Sequence, residues 1–356
     1  MAGEILITGG AGFIGTTLAR QLVADGQSPL IVDALHPQVH KGFGRPERLP
    51  EGVELWPLDV TVPSGWDAVL KLVRPKAIIH LAAETGTGQS LSEATRHGSV
   101  NVVGTTQLLD ALTRAEHVPE HLILSSSRAV YGEGAWEVGG EIYYPAGRSH
   151  EQLASGQWDC LDEQGRSGTP RPAVAGATRT EPTNIYAATK LAQEHILKAW
   201  GAARGCGVSV LRFQNVFGVG QALDNPYTGV LSIFAAQALG GATLNVYEDG
   251  KIFRDFVYVE DVAAALKAAL GAPPVGARTL DIGSGESTTI LEVARTIASL
   301  AGAPEPSVSG AFRDGDVRAA LCSISAARTE IGYTPTWTLA RGLEALVEGA
   351  REVLGR

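Results

Sequence analysis

Tyr186 and Lys190 stand one helical turn apart in Asn184-Ile185-Tyr186-Ala187-Ala188-Thr189-Lys190, so a phenol and an ammonium share one face of a helix. A phenol with pKa near 10 is a poor base at neutral pH, but nearby positive charge favours the phenolate. The pair is thus a candidate proton acceptor and donor, although the same spacing also occurs where a surface lysine lies beside a half-buried tyrosine. Leu122-Ile123-Leu124 runs into Ser125-Ser126-Ser127, which leaves hydroxyls at the end of a strand. Ligands of parallel α/β sheets bind at that edge. Ile5-Leu6-Ile7-Thr8-Gly9-Gly10-Ala11-Gly12-Phe13-Ile14-Gly15 reads as a strand, a tight turn and the start of a helix. Gly10, Gly12 and Gly15 fit GxGxxG, in which missing side chains let a pyrophosphate approach a helix amino terminus. Asp33 ends the next apolar run, where a carboxylate accepts hydrogen bonds from both hydroxyls of an adenosine ribose and repels a 2′-phosphate. No arginine follows it directly, although Lys41 and Arg45 are near in sequence, so NAD is expected over NADP.

The elements that must position these groups follow from the spacing of apolar residues. Ile5–Ile7, Leu30–Val32, Ala77–Leu81, Leu122–Leu124 and Val208–Leu211 are short runs without polar alternation, as in strands buried on both faces. Helical patterns separate them, notably Gly12 to Asp25, Gly98 to Glu116 and Ile185 to Arg204. The expected fold is α/β, a doubly wound parallel sheet of Rossmann type with a smaller, mainly C-terminal substrate-binding lobe. Residues 1–217 form the NAD-binding part and 218–356 the lobe, some of whose strands and helices return to the first domain. The stretch 133–181 is rich in Gly, Ser, Pro and charge and has no periodicity, so it reads as a partly ordered insertion at the active site.

Bulk properties exclude several classes. The 356 residues are 44% hydrophobic and 19% charged, enough apolar material for a large core. A net charge of −9 disfavours nucleic acid as a partner. Cys160, Cys206 and Cys322 fit neither a disulfide framework nor a metal pair, and no metal is expected. No apolar run is long enough to span a membrane, and a cytoplasmic enzyme is expected.

Taken together these motifs resemble the NAD-dependent nucleotide-sugar epimerase/dehydratase family of extended short-chain dehydrogenases/reductases. Further matches are Asp59-Val60, His80-Leu81-Ala82-Ala83, Asn101-Val102-Val103-Gly104-Thr105, Ser125 to Gly132, Arg212 to Gly218, Tyr247 to Gly250 with Arg254-Asp255-Phe256, and Arg313 to Asp316. The resemblance implies Ser127, Tyr186 and Lys190 as catalytic residues. It implies NAD contacts at Gly9, Gly12, Phe13, Ile14, Gly15, Asp33, Asp59, Val60, Leu81, Ala82, Ala83, Asn101, Ser125, Tyr186 and Lys190. For a nucleoside-diphosphate sugar it implies Thr85, Ser127, Asn215, Val246, Tyr247, Arg254 and Arg313, the two arginines clamping the diphosphate. It also implies a homodimer through the helices near Gly98–Glu116 and Ile185–Arg204, with Val100, Leu108, Leu112, Ala188, Leu191 and Ile196 as apolar contacts.

In such enzymes the tyrosine takes a proton from a sugar hydroxyl, usually at C4, while hydride passes to NAD. Dehydratases and decarboxylases of the family carry carboxylates just after the serine, where this chain has Arg128 and Ala129. Epimerisation needs no such group, so a 4-epimerase is expected, acting on a dTDP-6-deoxy-hexose or a UDP-hexose. Ala320 leaves space near the sugar. A dehydratase or decarboxylase using another acid such as Glu84, a ketosugar reductase, and a non-catalytic NAD-binding sensor remain as alternatives.

Overall fold

The computed structural model describes residues 4–40, 44–223 and 229–355; Lys41 lies outside them. Seven strands form the central sheet: β1 (Ile5–Thr8), β2 (Leu30–Asp33), β3 (Glu54–Pro57), β4 (Ala77–His80), β5 (His121–Ser127), β6 (Gly207–Phe213) and β7 (Ala277–Ile282). Their order is β7-β6-β5-β4-β1-β2-β3 and every pairing is parallel. Strands such as β2 and β4 are buried along their whole length, which explains their unbroken apolar runs. The order reverses between β1 and β4, and a crevice at the carboxyl ends follows from that switch.

Helices cover both faces. Leu18 and Leu22 of Phe13–Ala24 and Val262 and Leu266 of Val259–Leu270 pack on one side with Ile7, Ile31 and Ile79. Trp66, Leu108, Leu112 and Leu197 pack on the other with Leu6, Ile78 and Leu122. Leu108 and Leu112 are fully buried against the sheet, so the expectation that they meet a second subunit is corrected. The apolar stripe of Gly104–Arg114 serves the monomer's own core. One turn earlier, Gly98–Val103 is a π-helical segment whose buried residue is Asn101.

Two strands, β3 and β7, are absent from the sequence reading. Glu54–Pro57 is an edge strand with half-exposed residues and no clear pattern, and Ala277–Ile282 begins with polar Arg278 and Thr279. With β7, the chain returns from the second lobe to the first sheet. The lobe's own core joins helices Val230–Leu239, Ile290–Ala301 and Leu339–Leu354 around Phe217, Phe256 and Tyr258.

The segment 133–181, expected to be partly ordered, is described throughout. Trp136–Val138 pairs antiparallel with both Glu141–Tyr143 and Thr169–Pro170. Trp136 and Cys160 are buried together with Ala319 and Phe253 of the second lobe. The apparent lack of pattern arises because this small sheet borrows its core from a distant part of the chain.

Candidate active site

β1 ends in the glycine turn, and each glycine there has its own reason. Gly9 has φ +65°, and a Cβ on it would lie 2.7 Å from the Ala82 backbone nitrogen. A Cβ on Gly10 would strike Ile31 at 2.7 Å, and one on Gly15 would strike Gly10 itself. Gly12 differs, because the nearest atom to such a Cβ is the Gly9 carbonyl at 3.3 Å. Protein packing therefore demands glycine at positions 10 and 15 but barely at 12. The helix beginning at Phe13 and Ile14 has no capping side chain, so its first N–H groups face out over Gly12.

Beside the turn, the Asp33 carboxylate accepts from the Ala11 N–H at 3.0 Å and the Leu35 N–H at 2.8 Å. That anchors a carboxylate at the end of β2. Asp59, just after β3, is held by its own turn, accepting from the Thr61 N–H and hydroxyl at 2.9 and 2.8 Å. Val60 is buried against Gly104, where a Cβ would meet its side chain at 2.6 Å.

Behind the turn a buried chain of hydrogen bonds fixes the loop after β4. The Thr8 hydroxyl donates to His80 Nδ1 at 2.7 Å and accepts from the Ala82 N–H at 3.1 Å. The Thr105 hydroxyl donates to the Asn101 carbonyl at 2.6 Å and so receives His80 Nε2–H at 3.0 Å. His80 is therefore neutral with its proton on Nε2, and burial drags its pKa down to about 3. Leu81, Ala82 and Ala83 remain partly exposed at the cleft, as does Thr85. Asn101, expected as a cofactor contact, is wholly buried and spends its amide on Glu84 backbone atoms (2.8 and 3.0 Å) and the Thr189 hydroxyl (2.9 Å). It ties the loop to the tyrosine helix.

That helix, Ile185–Arg204, is capped by Asn184, whose side chain accepts from the Ala187 N–H, and ends at left-handed Gly205. The cap sets the first turn, and with it Tyr186, against the end of β5. The Ser127 hydroxyl faces the Tyr186 phenol. Burial pushes that phenol up, while Ser127 and the Arg128 charge pull it down. Lys190 is 2% exposed, and its ammonium has no hydrogen-bond partner among the described residues. Burial lowers it to about 7, against the opposing charge of Glu194. Ser125 donates to the His80 carbonyl at 3.2 Å and Ser126 to Glu194 at 2.5 Å. Of the three serines, Ser127 is thus the one turned to the tyrosine.

The second lobe supplies Arg254, which is 8% exposed and has no ion pair among the described residues. It donates to the carbonyls of Phe253 and Val317, each at 2.8 Å, and burial lowers its pKa to about 9. Asn215 presents a buried Oδ1 without a partner. Arg313 is exposed, its guanidinium 5.3 Å from the Tyr247 ring centre, on a loop whose Phe312 packs on His150 and Trp158 of the insertion. Val246 is corrected as a substrate contact: its side chain is fully buried in the lobe and its carbonyl accepts from the Ser309 N–H at 2.9 Å.

Sequence reading missed a group of buried ion pairs that joins the insertion to the lobe. Arg148 meets Glu248 at 2.8 Å and Glu133 at 3.5 Å, while Arg318 meets Glu248 at 2.9 Å, Asp249 at 2.7 Å and Asp159 at 2.9 Å. No periodicity marks such residues. It also missed Arg128, used only as the absence of an acid, although its charge acts on both Tyr186 and Arg254.

The family model of the NAD dependent epimerase/dehydratase family matches residues 5–151 and 161–283. The chain belongs to that family. It is 49% identical to a dTDP-L-rhamnose 4-epimerase of Burkholderia thailandensis, covering 99% of this chain and 96% of the relative. A UDP-glucose 4-epimerase of Mycolicibacterium smegmatis is 30% identical over 96% of this chain and 97% of its own. Among solved structures, UDP-glucose 4-epimerase of Thermotoga maritima with UDP-glucose superimposes with TM-score 0.78 at 27% identity, covering 98% of this chain and 99% of the other. The Thermus thermophilus enzyme in complex with NAD gives 0.76 at 29%, covering 98% of each chain.

The residues present fit the cofactor of this family. Gly12 leaves room at an uncapped helix end, Asp33 sits beside it, and Lys190 offers an ammonium without a hydrogen-bond partner one helical turn from Tyr186. Among the described residues no helix is long and apolar enough to cross a membrane.

Proposed function

We propose that the protein is an NAD-dependent nucleotide-sugar 4-epimerase whose substrate is a dTDP-6-deoxy-hexose of the L-rhamnose type, with a UDP-hexose as the second candidate. The observation that carries this reading is the charge at the reacting corner, where a phenol, a hydroxyl and cations meet without a free carboxylate. Arg128 and Ala129 follow Ser127, and Glu84, the carboxylate a dehydratase would need, is paired with Arg96 at 2.8 Å. Elimination lacks its acid and base there. The near-complete alignment with a dTDP-L-rhamnose 4-epimerase supports the sugar.

Asp33, Gly9, Gly12 and the first turn from Phe13 would hold the dinucleotide. Bound NAD would supply a reversible hydride acceptor for the sugar C4. Tyr186 removes the proton of the C4 hydroxyl and later restores it, while Ser127 hydrogen-bonds the same oxygen. Lys190 stabilises the phenolate: an ammonium that burial destabilises gains most from an anion forming nearby. Arg254 holds the diphosphate, since a buried guanidinium with carbonyl partners only has its charge available. The two loops that carry Tyr247 and Arg313 would close the nucleotide end.

We also propose a cytoplasmic homodimer. Three buried free cysteines suit a reducing compartment, and Leu91, Val103 and Ala188 are exposed near the two helices in question. Light scattering at micromolar concentration tests the assembly, and a monomer there would refute it. Incubating the protein with a panel of dTDP- and UDP-sugars and resolving the products by NMR tests the substrate. Conversion of dTDP-L-rhamnose to its C4 epimer supports the reading; turnover of UDP-hexoses alone would replace it with the second candidate.

A further inference from the structure

Gln214 follows β6 and is 5% exposed, yet neither atom of its amide has a hydrogen-bond partner in good geometry. Its amide comes up to the Cys322 thiol, a weak acceptor. A buried amide left unpaired is destabilising, so its persistence asks for a ligand. The side chain lines a small cavity together with Arg128, Tyr131 and the methyls of Ala319 and Ala320. Arg128 likewise has no hydrogen bond or ion pair among the described residues. Its charge acts on both Tyr186 and Arg254, and the acids that act on it are Asp316 and Glu133. Glu133 is committed to Arg148 and the Arg318 N–H.

We infer that Arg128 and Gln214 form a polar subsite that grips ring oxygens of the substrate's sugar and so determines which sugars are accepted. This deepens the functional reading above and rests on it. A sugar nucleotide held by its diphosphate at Arg254 and by its reacting hydroxyl at Tyr186 must pass its ring through the space between them. Arg128 acts electrostatically on both ends of that path, and Ala319 and Ala320 add only methyl groups to the cavity it shares with Gln214. A guanidinium offers only donors and an amide offers both donors and an acceptor, which suits neighbouring hydroxyls on one ring. Site groups built to pair with a hydroxyl discriminate strongly against sugars lacking it, because the groups are then left unpaired.

Gln214→Leu and Arg128→Met would be compared with the wild-type protein by calorimetric titration with dTDP and with the sugar nucleotide that the wild type turns over fastest. Melting temperature and NAD content report on folding. We expect each variant to bind dTDP within about threefold of wild type and the sugar nucleotide at least tenfold more weakly, with Arg128→Lys recovering part of the loss. An equal loss for dTDP would assign Arg128 to the diphosphate clamp and overturn the subsite. Unchanged affinity for the sugar nucleotide would do the same, leaving water as the amide's partner. A wild type that binds dTDP but no sugar nucleotide would overturn the functional reading itself, and the subsite with it.

Discussion

Two sets of arginines share this molecule's interior and differ in one respect. Arg148, Arg212 and Arg318 are buried with carboxylates against them: Arg212 donates to both oxygens of Glu194 at 2.9 and 2.7 Å, and Arg148 and Arg318 share Glu248. Arg128 and Arg254 are also enclosed by protein but meet no carboxylate in an ion pair. Desolvation is the largest influence on all five, and it acts in one direction. Counter-charge reverses its effect in the first set, whose pKa values rise, and not in the second, whose values fall. The first set fastens the insertion, the tyrosine helix and the lobe together. The second carries charge without an ion-pair partner, and under the proposed function Arg254 offers it to the diphosphate and Arg128 to the sugar. Stability and function have thus been assigned to different copies of one residue type.

Substitutions can break this contrast at several points. The largest effect belongs to Tyr186, on which Arg128 acts: Tyr186→Phe should lower kcat by about 10²- to 10⁴-fold while the protein still retains NAD, read by releasing the cofactor on denaturation. A loss below about tenfold would move the acid/base role elsewhere. Arg254→Met should raise KM about a hundredfold through lost charge-assisted hydrogen bonds, yet raise the melting temperature, because an uncompensated buried charge is gone. Arg318→Met should do the opposite. It leaves buried Glu248 with Arg148 alone and partly exposed Asp249 and Asp159 without their arginine, costs about 1–3 kcal/mol and lowers the melting temperature, with a smaller effect on NAD content. If both variants melted alike, the division between the two sets would fail.

The smallest effect concerns Lys190, a third kind of buried cation. Its folded pKa of about 7 lies below the ordinary 10.5, so between those values the unfolded chain binds more protons and stability rises with pH. Cofactor-free Lys190→Met should therefore melt a few degrees above wild type near pH 6. The gap should narrow as pH climbs from about 7 towards 10.5. A gap independent of pH would mean that the ammonium is not destabilised in the folded protein.

The parts of this arrangement that were legible in the sequence are those with local signatures. Glycine spacing, the acid after the second strand and the Tyr186–Lys190 turn each constrain one short segment, and each is found at the carboxyl edge of the sheet. The paired arginines were not legible, since Arg148 and Glu248 are one hundred residues apart and each looks like a surface charge until the fold joins them. Burial likewise separates residues that pattern alone treats as equal: Leu108 and Leu112 turned to the sheet, Asn101 to the loop and Val246 to the lobe's interior. Arg128 was visible as a departure from an acidic pattern, but its neighbours Gln214 and Arg254 come from other elements and only the folded chain brings them together.

The central claim is that one carbon is oxidised and reduced by the same hydride, with Tyr186 managing the proton. It is tested most directly by turning over dTDP-L-rhamnose in deuterated water and locating deuterium in the product by NMR. Return of the original hydride gives the 6-deoxy-talose epimer with hydrogen retained at C4 and no deuterium on any ring carbon. Deuterium at C3 or C5 would instead show that a base deprotonates a carbon beside the ketone, and would contradict a reacting corner without a working carboxylate.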